Sequence, residues 1–302
     1  MNGINLYPHL ILHFDVNKTL ICSDSVTGKT AEEILVNQLA ETTLYQWDKN
    51  CPTMSYKEYV SSVLVEGKES DLDIKKKRRE EISQFLTVIQ NYPELSADVL
   101  QKYELLKEKL TDSVFPSFVK LIDKLKEHHI QFIIVLRSFG NDLEEVEEQI
   151  HSTTGISFAK WGKFKDGALH MKGEETSPMI KAHELFKLFT ESREHLSIND
   201  SYIDWNSNDE KAKYGKKFVF EKGNENHRMN HLSLFFDDNI TGDSINDIVA
   251  PYTMDGTFVS TEELKDKLLF TVDTGEAIMN DDYYVNLINT GLKKNGYPLK
   301  ID

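Results

Sequence analysis

At 302 residues the chain is long enough for one large domain or for a core with an insertion. Its 39% apolar and 28% charged residues argue against wholesale disorder, and a formal net charge of −15 argues against nucleic acid or an anionic membrane as the main partner. No apolar run reaches bilayer length and no basic-then-apolar leader opens the chain. The two cysteines, Cys22 and Cys51, lack paired spacing, so a cytoplasmic protein is expected.

The first predicted element is a buried strand over Leu10–Phe14, an apolar run that stops abruptly at Asp15. Catalytic groups in open α/β sheets collect at that carboxyl edge, and Asn17 and Thr19 follow at alternate positions. Downstream, Gly28-Lys29-Thr30 invites a phosphate-loop interpretation. The position where that motif needs its earlier glycine holds Ser23, however, so a turn closing on a helix start is favoured.

From Thr30 to about Leu110 the composition is helical. Ile34, Leu35, Leu39 and Leu44 recur at helical spacing, and Pro52 and Ser55 mark a new start before Tyr56, Tyr59, Val60, Val63 and Leu64. The run Lys75–Glu81 reads as a solvated helix face with i,i+4 pairing. No βαβ rhythm appears here, which predicts a helical insertion over residues 21–110.

The rhythm resumes with an amphipathic helix that Pro116 begins, followed by a second buried strand ending in Arg137-Ser138-Phe139-Gly140. A hydroxyl there, with Gly140 permitting a tight turn, is placed to bind an anion. The pieces around Asp166-Gly167 suggest a hairpin or an edge strand, and a helix is expected from Pro178, capped by Ser177. A lysine cluster (Lys211, Lys213, Lys216, Lys217) precedes a third buried strand, Leu232–Phe236, which ends in Asp237-Asp238 with Asp243 shortly beyond. The tail over 251–302 reads as a helical extension packed on the core.

Three strand ends thus offer Asp15 with Asn17, Ser138, and Asp237, Asp238 and Asp243, a donor set suited to Mg²⁺ and phosphate. Here the chain resembles the haloacid dehalogenase-like superfamily of phosphatases and phosphotransferases. HFDVNKTL matches that family's hhhhDxDxT motif except that Asn17 replaces the second Asp. IIVLRS supplies the strand ending in a hydroxyl, FFDDNITGD fits the acidic fourth motif, and YGKKF offers Lys216 as the third-motif lysine, with Lys217, Lys213 and Lys211 as alternatives.

The resemblance implies a Rossmann-like α/β core over residues 1–20 and 111–250 with a helical cap over 21–110. It further implies a Mg²⁺-dependent phosphoryl hydrolase acting on a phosphorylated small molecule or a phosphoprotein. Asp15 would be the nucleophile and form an aspartyl-phosphate. Asp15, Asp238 and the carbonyl of Asn17 would hold Mg²⁺, supported by Asp237 or Asp243, while Ser138 and Lys216 would bind the phosphoryl oxygens. Asn17 lacks the acid–base capacity of the family's second Asp. The expectation is therefore slow turnover, restriction to good leaving groups, an acid borrowed from elsewhere (Asp24 is one candidate), or a phosphate- or protein-binding module without turnover.

Overall fold

The computed structural model describes residues 7–22, 30–68, 71–110, 114–173, 178–222 and 230–302. The chain divides into two compact units, one formed by Met1–Ile21 with Ser113–Asp302 and the other by Cys22–Asp112. In chain order the described strands are β1 (His9–Asp15), β2 (Leu44–Tyr45), β3 (Met54–Ser55), β4 (Phe132–Ser138), β5 (Phe158–Lys165), β6 (Ala168–Met171), β7 (His195–Asn199), β8 (Lys216–Phe220), β9 (His231–Asp237), β10 (Val249–Thr253) and β11 (Leu269–Thr271). Only β2 and β3 lie in the second unit.

The first unit is a mixed α/β fold around a seven-stranded sheet in the order β11-β9-β1-β4-β7-β5-β6. Every pairing is parallel except that of β6 with β5. The three apolar runs read from the sequence occupy its centre, and Leu10–Phe14 is fully buried. Burial on both faces accounts for their largely apolar character, in which His13 and Ser233 are the buried polar exceptions. One face packs on helices Pro116–Glu127 and Tyr283–Lys294, with the Phe14 ring edge-on to Phe118 at 5.2 Å and to Tyr284 at 5.2 Å. The other face, carrying Ile11, Val135 and Ile198, packs on helix Ala182–Glu191 and Val219 of β8. β8 itself pairs only with β10, in parallel.

Two local expectations need correction. The helix expected at Pro178 starts instead at Ala182, because Met179 is held back in an antiparallel bridge to Leu169; Ser177 lies outside the described residues. The tail is not wholly helical, since Leu269–Thr271 forms edge strand β11 beside β9. Its few apolar residues follow a helical stretch, and strand periodicity is invisible over so short a run. The Asp166-Gly167 turn does join a hairpin, β5 to β6, with both residues at positive φ (51° and 74°) as a tight turn of this hand requires.

The second unit is largely helical. Ser55 and Glu58 form a reciprocal cap before Tyr56, and Thr30 with Glu33 does the same for helix Ala31–Thr42. Gly28 and Lys29 lie outside the described residues. In its core the buried Trp47 ring meets both Tyr56 and Phe85 edge to face. The charged run on helix Leu72–Ser83 is not all solvated: Arg78 donates to the carbonyls of Val65, Ser61 and Gly67, fastening the helix to the preceding loop. Among the described residues no helix is long and apolar enough to cross a membrane.

Candidate functional site

Parallel register brings the predicted residues to one edge of the sheet. Asp15 pairs with Arg137 of β4, one residue before Ser138, while Phe14 pairs with Phe236, one residue before Asp237. Lys216 reaches the same edge from outside the main sheet. Its backbone N–H donates to the Ile248 carbonyl at 2.7 Å, and a Cβ on the preceding Gly215 would lie 2.2 Å from that oxygen. Only glycine lets β8 enter so close to its neighbour.

The Lys216 ammonium sits between two carboxylates, 2.5 Å from Asp15 Oδ1 and 2.7 Å from Asp237 Oδ2, with its side chain 1% exposed. The ring of Phe139 lies 5.0 Å from the same ammonium. Burial alone would lower the lysine's pKa, but Asp15, Asp237 and Asp200 together hold it above the ordinary lysine value. Asp15 moves up as well. Burial raises its carboxyl well above 3.8, Lys216 opposes this, and Asp237 and Asp238 add to it. Asp238 is pushed up to about 6 by burial, with Asp237 adding and Lys18, 3.5 Å away, pulling down.

Asp15, Asp237 and Asp238 each present an oxygen within 4.8 Å of the others, an all-carboxylate donor set that could hold a hard metal ion. Their spare capacity differs. Asp237 already accepts from Lys216 at Oδ2 and from the Asn239 backbone N–H at Oδ1, whereas Asp238 accepts from the Asn239 side-chain amide at Oδ1 and faces the part-exposed Lys18 at Oδ2. Three carboxylates against two ammonium groups leave one surplus negative charge.

The loop after β1 folds back on itself: Leu20 N–H donates to Val16 at 2.9 Å, and Lys18 adopts φ 59°. That left-handed residue is braced by the tail. Thr274 Oγ1 donates to the Lys18 carbonyl at 2.7 Å, and the buried Tyr284 hydroxyl donates to the Thr19 carbonyl. Asn17 lies in this loop, its backbone bridged to Ile21. Ser138 is buried at the end of β4; its Oγ accepts from Gly140 N–H at 2.9 Å and donates to Asp142 at 3.3 Å.

Asp243 does not join the cluster. It is exposed and accepts from the Ile245 N–H at 2.8 Å, a local turn contact. The buried acid of that loop is Asp247, which accepts from the N–H groups of Gly242 and Ile248. The other lysines point elsewhere: Lys217 donates to the Gly167 carbonyl, Lys211 pairs with Asp209, and Lys213 lies over the Tyr214 ring. Asp24 lies outside the described residues.

Sequence reasoning missed a second charged assembly beside the site. Arg137, wholly buried, forks onto Asp200 (Nε to Oδ2 2.9 Å, Nη2 to Oδ1 2.6 Å) and donates to the Lys217 carbonyl at 2.9 Å. Asp200 N–H in turn donates to the Ser138 carbonyl at 2.7 Å. The ends of β4, β7 and β8 are thereby tied together next to Ser138 and Lys216. A guanidinium embedded in an apolar strand was the available signal, because such a group requires a buried partner. Comparison with protein-family models, with curated proteins and with solved structures returns no match.

Proposed function

We propose that the chain is a phosphoryl hydrolase of the haloacid dehalogenase-like type, in which Asp15 is the nucleophile and Asp15 and Asp238 hold Mg²⁺. The observation that carries this is the buried Lys216 ammonium shared by Asp15 and Asp237 at the carboxyl ends of adjacent parallel strands, with Asp238 alongside. The bound ion would screen the repulsion between a carboxylate and an anionic phosphoryl group. On this reading Lys216 keeps Asp15 oriented and neutralises charge that grows on the phosphoryl oxygens, and the Ser138 hydroxyl turns from Asp142 to donate to one of them.

Asp15 attacks phosphorus in line, the bond to the leaving oxygen breaks, and an aspartyl-phosphate remains for water to cleave. The leaving oxygen needs a proton that Asn17 cannot give. Substrates with acidic leaving groups, aryl or acyl phosphates, are therefore favoured over alkyl esters. The unit Cys22–Asp112 corresponds in this proposal to the family's helical cap. Asn17 also supports a second reading, a phosphate- or protein-binding module that retains the pocket without turnover.

Purified protein with Mg²⁺ is expected to release phosphate from p-nitrophenyl phosphate, and Asp15→Asn to abolish the release. Saturable phosphate binding with no release, unchanged in Asn17→Asp, would select the binding module instead. Release that survives Asp15→Asn would rule out the nucleophile assignment.

A further inference from the structure

At the opposite, amino-terminal edge of the same sheet the chain carries histidines that the phosphoryl site does not use. His9 opens β1 and His231 opens β9, and the two are direct register partners on adjacent parallel strands. Their side chains leave the same face, with ring centres 5.6 Å apart and planes tilted by 56°. Both are half-buried in the wall of a cavity of about 980 Å³, which Thr190, Glu191 and Arg193 also line. The edge of the Phe186 ring lies against His231 with centres 6.3 Å apart, which restricts that imidazole. Neither ring has a hydrogen-bond partner among the described residues.

We infer that His9 and His231 form a two-imidazole site for a borderline divalent transition ion of the Zn²⁺, Ni²⁺ or Cu²⁺ class. The spacing carries the inference. With metal–nitrogen bonds of about 2.0–2.1 Å and a ring centre roughly 1.1 Å beyond each nitrogen, a tetrahedral chelate places ring centres about 5.2 Å apart. The observed 5.6 Å needs only a slight closing of two side chains that already share a face.

Imidazole selects these ions over Mg²⁺, which the carboxylate cluster at the other edge suits. Burial, and for His9 the neighbouring His231, hold both rings below the ordinary histidine value, against a smaller opposing pull of Glu221 on His231. Both are then neutral, as ligands must be. His195, in the same cavity wall, is excluded by its tautomer. Its Nδ1 accepts the Ile134 N–H at 2.9 Å, so Nε2 carries the proton, and β4 separates it from the pair.

A bound ion would staple β1 to β9, the strands that deliver Asp15 and Asp237, and would stabilise the fold by mass action. The test is calorimetric titration of tag-free, full-length protein with Ni²⁺ in excess Mg²⁺, which keeps the carboxylates occupied. A single saturable site is expected, lost in His9→Asn and in His231→Asn and kept in His183→Asn, whose exposed imidazole lies on helix Ala182–Glu191. Ni²⁺ should also raise the melting temperature of the parent protein but not of the two variants, whose circular dichroism shows whether they have folded. Absence of a saturable site in the parent, or its survival in both folded variants, would overturn the inference.

Discussion

Replacing Lys216 by Met tests the electrostatic frame of the site most directly. The substitution keeps most of the side-chain volume and removes a buried ammonium that serves Asp15 and Asp237 at 2.5 and 2.7 Å. What remains is three carboxylates whose oxygens lie within 4.8 Å of one another, faced only by Lys18 at 3.5 Å from Asp238. At 4.8 Å and an effective dielectric of about 20, two carboxylates repel by about 3.5 kcal/mol, a repulsion that the ammonium offsets in the parent and that Lys216→Met leaves unopposed. Removing one partner of a buried ion pair costs about 3–5 kcal/mol, which agrees in size and is a large part of a typical domain's stability. Asp15 already titrates above 3.8, and without the ammonium its folded-state pKa rises further, so the folded state binds more protons than the unfolded one. The variant's deficit is therefore greatest at neutral pH and shrinks on acidification toward the unfolded carboxylate range. Urea unfolding of both proteins at pH 7.5 and pH 5, without divalent ions, measures it. A cost below about 1 kcal/mol at neutral pH, the range of a surface pair, or a cost that does not fall at the lower pH would refute the reasoning.

Asp200→Ala leaves the wholly buried Arg137 guanidinium without its forked partner and is expected to cost about 3–5 kcal/mol in the same assay, with Asp200→Asn costing less. Mg²⁺ affinity, followed by calorimetry, should be flat above neutral pH and fall steeply below about 6, where a proton on Asp238 competes with the ion; affinity that holds to pH 5 would remove Asp238 from the ligand set. For the metal-free protein the raised Asp238 pKa has the opposite consequence, a stability contribution present below about pH 4 and lost as pH rises through 6. Asn17→Asp should raise kcat on alkyl phosphates by about 10²–10⁴-fold, and an unchanged rate would mean that leaving-group protonation does not limit the reaction.

The central strands were legible because burial on both faces writes itself as dense apolar runs, here interrupted only by His13 and Ser233, and a carboxylate or hydroxyl at the end of such a run stands out. Leu10–Phe14 with Asp15 and Leu232–Phe236 with Asp237 and Asp238 follow from that contrast alone. Lys216 was legible only through the family resemblance, as the first choice among four lysines. Its choice depends on Gly215 admitting β8 close to Ile248, a contact between segments distant in sequence. The Arg137–Asp200 fork and the brace from Thr274 and Tyr284 to the loop after β1 were hidden for the same reason: side-chain partners across the fold leave no periodicity. Asp243 misled because its spacing from Asp238 says nothing of the turn between them, which leaves Asp243 in solvent and buries Asp247.

The two lysines at the carboxylate cluster differ in a way that orders how the site can fill. Lys216 is 1% exposed and fastened to two carboxylates, so releasing it would strand a charge in the core. Lys18 is 32% exposed and stands 3.5 Å from Asp238 on a flexible stem, so its ammonium lies nearer to water than that of Lys216. A divalent ion entering the cluster would therefore displace Lys18 and leave Lys216 in place. It would draw on Asp238 and the Asp15 oxygen turned away from Lys216, while Asp237, saturated by Lys216 and Asn239, keeps the lysine aligned. The adjacent acids Asp237 and Asp238, equivalent in the sequence, thus separate by their hydrogen bonds into a lysine anchor and a candidate metal ligand.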